Sequence, residues 1–238
     1  MLALRPVDVI DRCDACQLAP GGAFSALSQR ALHAFETAKY TATYPRGAIL
    51  FFEGQDSSGV YLLCKGRVKL TMTGADAKSI IVRIAEPGEL IGLDSAISAK
   101  PSSMTAETFD PCVVHFIKRE SLRALMRDYH ELCIAISEQL SNDYRSACFH
   151  IRSLGLSRTA SERIIHFLLE WAAKGRQTDE GLRINIPLTH EEIAQVVGVS
   201  RETVTRALTE LKHRALITIK GSAVLIRDKS ALEALAAA

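Results

Sequence analysis

Apolar positions change their period along this chain of 238 residues, and each change marks a different kind of element. Leu27, Ala31, Leu32 and Phe35 recur at helical spacing, which predicts a short amphipathic helix from Ser28 to about Lys39. From Tyr44 the pattern becomes short β runs punctuated by Gly47, Gly54, Gly59, Gly66, Gly74, Gly88 and Gly92, seven of the fourteen glycines. Tight turns at that density predict a small antiparallel roll, with Val60, Leu62 and Cys64 alternating onto the face that lines it. Cys133, Ile136, Leu140, Tyr144, Ala147, Ile151 and Leu154 return to spacings of three and four, predicting one long helix from Leu122 to about Leu154. Such a seam suits pairing with a symmetry mate, although a helix packed on its own roll would carry a similar stripe.

Gly155 interrupts that helix, and Thr159 with Glu162 has the capping-box spacing that starts another, running to about Lys174. Leu182 to Pro187 then alternates like a strand. Thr189 and Glu192 repeat the capping-box spacing ahead of Ile193, Ala194 and Val197, so a helix is expected from Thr189 to about Val197. Gly198 supplies the turn, Ser200 caps the next helix, and Val199 with Val204 occupies the positions of a hydrophobic staple. This second helix has Val204, Leu208 and Leu211 inside, and Glu202, Thr205, Arg206, Thr209 and His213 outside, with Arg201 in its exposed first turn. Ile217 to Lys220, the turn Gly221-Ser222, and Ala223 to Ile226 read as a hairpin, the wing of a winged helix-turn-helix. A short helix is expected from Ser230 to Ala238. The fold class is α+β, with expected boundaries at 1–25 for a cysteine-containing segment, 26–121 for the roll, 122–156 for the dimerisation helix and 157–238 for the winged helix.

Charge adds one local feature. The net charge of +2 implies no partner, and residues 1–157 balance 17 basic against 17 acidic side chains. Residues 199–220 carry five basic and two acidic ones, an excess that suits a phosphate backbone. A helix presenting arginine and a carboxylate from its first turns fits the DNA major groove, where the guanidinium fork matches guanine and a glutamate accepts from cytosine N4. No signal-peptide pattern or membrane-length apolar run is present, so a cytoplasmic protein with no membrane partner is expected, its six cysteines reduced.

The run Ser200-Arg201-Glu202-Thr203-Val204-Thr205-Arg206 resembles the recognition helix of the Crp/Fnr family, the bacterial cyclic-AMP receptor and fumarate-nitrate reductase regulators. Tyr44-Pro45-Arg46-Gly47, Phe52-Glu53-Gly54-Gln55, Val60 to Val68 and Pro87 to Gly92 likewise resemble its cyclic-nucleotide-binding β-roll. The resemblance implies a transcription regulator that binds palindromic double-stranded DNA as a homodimer, with RNA polymerase as a further partner. It assigns Arg201, Glu202 and Arg206 to base reading, favours TGTGA-like half-sites, and places Thr189, Ser200, Thr205 and Lys220 at the same interface. The effector pocket it implies comprises Leu62, Cys64, Gly92, Ser102, Ser103, Cys148 and Phe149.

That pocket departs from the nucleotide-binding pattern. Leu93-Asp94 follows Gly92 where cyclic-AMP-binding members have glutamate, and Ser102-Ser103 stands where they have an Arg-Ser pair. Cys148 and Phe149 replace two small hydroxyl residues. A buried phosphate needs charge-assisted donors to offset its desolvation, so cyclic AMP is not expected as effector. The alternative signal is redox. Cys13 and Cys16 form a Cys-x-x-Cys, and Glu107 to Cys112 resembles the segment that supplies the distant cluster ligand in oxygen-sensing members. These three are the candidate metal ligands, for an iron-sulfur cluster that lacks a fourth thiolate; a thiol switch and no metal at all stay open beside it. No nucleophile-base pairing or phosphate loop is visible, so no enzyme is expected.

Overall fold

The computed structural model describes residues 27–76, 78–156, 159–173 and 175–237. Contacts divide the chain into two units, Met1–Ser146 and Ala147–Ala238.

The first unit begins with α1 (Gln29–Ala38), capped by the Ser28 hydroxyl, which accepts from the Ala31 N–H. Eight strands follow: β1 (Lys39–Tyr44), β2 (Ile49–Phe51), β3 (Gly59–Lys65), β4 (Val68–Thr73), β5 (Ser79–Ala85), β6 (Leu90–Ile91), β7 (Thr105–Thr108) and β8 (Cys112–Lys118). A short α2 (Leu93–Ser98) lies between β6 and β7. The strands form two antiparallel sheets, in the orders β1-β8-β3-β6 and β2-β7-β4-β5. Leu63, Ile91, Cys112 and Val114 of the first sheet meet Leu50, Val68, Leu70, Ala85 and Ala106 of the second, so the roll has a packed interior.

The outer face of the first sheet is also apolar. Val60, Leu62, Cys64, Val113 and Ile117 pack there against α1, α2 and two further helices, α3 (Arg119–Asp128) and α4 (His130–Leu156). The expected alternation at Val60, Leu62 and Cys64 is therefore present on the opposite side from the one expected. Period two shows that sides alternate without showing which side is inward, and here both sides are buried.

The single helix expected from Leu122 is two. Tyr129 adopts an extended φ of −129° and ψ of 98°, and its N–H closes α3 on the Leu125 carbonyl before α4 starts. Periodicity runs through the break because Leu122 and Leu125 of α3, and Leu132 and Ile136 of α4, enter the same core. The expected seam splits as well: Ile136 is buried on the roll and Leu140 packs beside it, while Tyr144 and Ile151 are 72% and 70% exposed.

The second unit holds the end of α4, then α5 (Ala160–Ala172), β9 (Arg176–Thr178), β10 (Gly181–Asn185), α6 (His190–Val197), α7 (Arg201–His213), β11 (Ile217–Lys220), β12 (Ala223–Ile226) and α8 (Lys229–Ala237). Its sheet runs β11-β12-β10-β9, so the wing hairpin is extended by β10 as the alternation of Leu182 to Pro187 suggests. Ile164, Leu168, Val197, Val204, Leu208, Leu211, Ile217 and Ile226 lie in one core that fixes α5, α6, α7 and the wing together.

Gly198 ends α6 in the left-handed region with φ of 66°, and a Cβ added there would lie 2.6 Å from Leu154 Cδ2. A non-glycine residue pays about 1–2 kcal/mol in that conformation. Gly198→Ala should lower the stability of this unit by at least that amount in urea unfolding; an unchanged midpoint would show that the turn relaxes without strain.

Candidate functional site

The exposed face of α7 is built by hydrogen bonds that settle its start and its orientation. The Thr189 hydroxyl accepts from the Glu192 N–H (3.2 Å), and Glu192 Oε2 accepts from the Thr189 N–H (2.8 Å), completing the capping box of α6. Ser200 Oγ accepts from the Thr203 N–H at 3.3 Å and caps α7. Val204, Ala207, Leu208 and Leu211 face the core, which turns Arg201, Glu202, Thr205, Arg206, Thr209 and His213 outward, all of them exposed. The Glu202 carboxyl is held below the usual carboxylate range, first by its own backbone N–H, then by the Ser200 hydroxyl and the neighbouring Arg201 charge. It stays ionised and can only accept hydrogen bonds, as a partner of cytosine N4 must. Lys220 is exposed at the end of β11, beside the left-handed turn residue Gly221.

Two contributions here escape sequence reasoning. Arg163 of α5 donates from Nη1 to the carbonyls of Val197 (3.3 Å) and Gly198 (3.1 Å), holding the turn at the negative end of α6. His190 Nδ1 lies 2.9 Å from Thr205 Oγ1, linking α6 to the outer face of α7. Both are tertiary contacts with no local sequence signature.

In the roll, a cleft of about 310 Å³, its open mouth included, is lined by Leu50, Phe51, Tyr61, Gly92 and Ser102, with Gln55 to Gly59 and Ser95 around it. Gly92 and Ser102 both line it. Leu62 and Cys64 are not part of it, because they face the helices. Ser103 is exposed, and its N–H and hydroxyl both donate to Asp94 Oδ2 (3.2 and 2.7 Å). Ser102 donates to the Met104 carbonyl at 2.9 Å. Cys148 is exposed on α4 within the other unit, and the Phe149 side chain lies outside the described ones. Among the described residues no arginine or lysine lines the cleft, and the serines where a phosphate would be gripped are engaged with Asp94 and a carbonyl. The residues present do not fit a cyclic phosphate.

Of the three candidate cluster cysteines, only Cys112 lies within the described residues; Cys13 and Cys16 lie outside them. Cys112 is fully buried in the roll interior, with its thiol donating toward the Arg67 and Asp110 carbonyls (3.3 and 3.2 Å). Burial first, then the Asp110 charge, pushes that thiol up to about 11, so in the metal-free chain it is protonated. Among the described residues no group of three or more His, Cys, Asp or Glu could hold a metal ion.

The sequence matches the Crp-like helix-turn-helix domain over residues 162–235 and the cyclic nucleotide-binding domain over residues 41–129. The CRP-like cAMP-activated global transcriptional regulator of Mycobacterium tuberculosis is 30% identical over 216 residues, covering 90% of this chain and 96% of the relative. The chain belongs to the Crp/Fnr family. It is a DNA-binding transcription regulator of that family, whose members are regulators and not enzymes. The nitrogen fixation regulation protein FixK of Bradyrhizobium diazoefficiens is 26% identical over 231 residues, covering 95% of this chain and 94% of the relative. The structure of FixK2 from Bradyrhizobium japonicum superposes with a TM-score of 0.70 at 25% identity, over 83% of this chain and 96% of that one. A CooA mutant from Carboxydothermus hydrogenoformans shares the fold at a TM-score of 0.80 and 18% identity, over 93% of this chain and 98% of that one.

A third cluster ties α4 to the roll of this Crp/Fnr regulator. Arg83 of β5 pairs with Glu89 and, at 3.2 Å, with Asp143 of α4, while the Gln139 amide bonds both backbone groups of Leu90 (2.9 and 2.6 Å). Burial raises the pKa of both Glu89 and Asp143 above the usual carboxylate range, and the Arg83 charge only partly offsets it. An acid whose pKa is raised on folding holds its proton longer in the native state, so stability falls as pH rises from about 4 toward the folded value. Glu89→Gln should flatten that fall in urea midpoints of the roll taken from about pH 4 upward. A slope matching that of the unsubstituted protein would assign the dependence to other groups.

Proposed function

We propose that the chain acts as a homodimer paired along α4, reading a palindromic promoter site with TGTGA-like half-sites. The observation that carries this reading is the outer face of α7, where Arg201, Glu202 and Arg206 stand exposed while the nearby hydroxyls are engaged in capping and in bonds between helices. In it, Arg201 and Arg206 fork onto guanines, Glu202 accepts from cytosine, and Lys220 at the wing tip meets phosphate. RNA polymerase is the partner through which the bound dimer affects transcription.

Dimerisation is supported by a second stripe on α4. Ile134, Ser137, Ser141, Tyr144, Cys148 and Ile151 are all exposed and recur at spacings of three and four. Ile134, Tyr144 and Ile151 expose 48, 72 and 70% of their surface, an unfavourable display for a helix that ends its working life in water. Two-fold pairing also matches the two half-sites of a palindrome.

The signal enters through the roll in this reading, and the cleft's lack of cationic groups speaks against a cyclic nucleotide. A redox signal through Cys13, Cys16 and Cys112 would have to draw on a Cys112 that is buried and protonated in the metal-free chain.

Two measurements test these roles. Arg206→Ala should weaken binding to the preferred operator by about 1–3 kcal/mol and leave the dimer intact, whereas Lys220→Ala should weaken binding to every sequence and lower the salt slope by about 0.9 per half-site. Unchanged operator affinity in Arg206→Ala would remove α7 from base reading. Tyr144→Glu with Ile151→Glu should yield folded monomers in sedimentation; a surviving dimer would place the interface elsewhere.

A further inference from the structure

The cleft of the roll is unevenly supplied with hydrogen-bonding groups. Four of its five side-chain hydroxyls give their one hydrogen to a carbonyl: Ser57 to Gly59 (2.7 Å), Ser95 to Lys100 (2.6 Å), Ser102 to Met104 (2.9 Å) and Tyr61 to Leu50 (3.3 Å). Toward an occupant those oxygens can only accept. Two neutral side-chain donors remain, the Ser58 hydroxyl and the amide nitrogen of Gln55, whose oxygen accepts from the Phe52 N–H at 3.0 Å. Asp56 also lines the cleft, and among the described residues its carboxylate has no hydrogen bond or ion pair. The apolar wall is aromatic, with the ring centroids of Phe51 and Tyr61 6.1 Å apart and their planes 28° from parallel. Arg119 donates to the Ser95 carbonyl at 3.4 Å and Lys100 precedes Ser102 by two residues, yet neither side chain lines the cleft.

We infer that this cleft takes a small amine, its ammonium paired with Asp56 and its apolar part set against Phe51 and Tyr61. The inference rests on the reading that the signal enters through the roll, and names the chemical class of the occupant. An ammonium has three N–H donors and no acceptor, which complements a carboxylate among hydroxyls whose hydrogens are already spent. Aromatic faces attract a cation as well. An anionic occupant would meet the Asp56 charge and, among the described residues, no cationic side chain in the lining. A volume of about 310 Å³, mouth included, is at the low end for ligand sites, so the occupant is small.

The test uses three probes that share a ring and differ in charge: benzylamine, benzyl alcohol and benzoate. Each is titrated into the full chain while the backbone amide resonances of Gly59 and Gly92 are followed by NMR. Benzylamine should shift both saturably and bind about tenfold more tightly than benzyl alcohol, as a charge-assisted bond exceeds a neutral one. Benzoate should bind least. Asp56 is exposed and has no bond to lose, so Asp56→Asn should fold normally and bring benzylamine down to the level of the alcohol. Benzoate binding as tightly as benzylamine, an unchanged benzylamine affinity in Asp56→Asn, or no saturable shift at millimolar benzylamine would each overturn the proposal. Operator affinity with and without benzylamine separates this inference from the reading beneath it. Asp56-dependent amine binding that leaves operator affinity unchanged upholds the amine site and removes the cleft as the signal's entrance. Intact operator binding in a protein that takes no amine sinks the amine site and leaves the DNA-reading face standing.

Discussion

One buried amide sets the rotation of α4 against the roll. Strand β6 is the edge of its sheet, where the backbone groups of Leu90 would otherwise lack partners. Gln139 satisfies both, accepting from the N–H and donating to the carbonyl, at 6% exposure. A buried amide with both ends paired tolerates little rotation, since any turn of the helix would leave one backbone group unsatisfied. Leu132, Ala135 and Ile136 are thereby turned to the roll, and Ile134 and Tyr144 to water. Which stripe of α4 would pair in the proposed dimer is decided within a single chain.

The ion pair one turn further on works differently. Arg83 serves two carboxylates, Glu89 and Asp143, from three separate segments of the chain. Glu86 and Asp94 add further negative charge around them. Such a cluster responds to its surroundings where the Gln139 amide does not, because each carboxylate competes for the same cation and both resist ionisation on burial. The helix is thus held by one neutral anchor and one charged one, four residues apart.

Much of this was legible in the sequence, and the failures share a cause. The winged helix could be read closely because its signals are local: the capping box of Thr189 and Glu192, the glycine turn at Gly198 and the hairpin around Gly221 are each contained in a few residues. Alternation at Val60, Leu62 and Cys64 was legible as period but not as side, since helices cover the outer face of the sheet. The break at Tyr129 was hidden because the helices on either side bury residues in one core. Arg163 at the turn carbonyls, Gln139 at Leu90 and His190 at Thr205 join residues 15 to 49 positions apart, where no periodicity reaches.

The DNA-facing helices show a division of labour that the residue types alone do not reveal. Thr189, Ser200, Thr205 and Thr209 all have hydroxyls suited to phosphate, and all four are engaged within α6 and α7: two as caps, and two donating to carbonyls one turn back. A hydroxyl already bonded in the free protein gains little by exchanging partners, whereas a solvated guanidinium has no such bond to give up. The hydroxyls therefore hold the helices in position, and in the proposed reading the charged groups Arg201, Glu202 and Arg206 are left to discriminate bases. Specificity in that reading depends on the rigidity of neutral contacts that would touch no base, which is why the turn at Gly198 and the arginine that holds its carbonyls matter to it as much as the arginines that face outward.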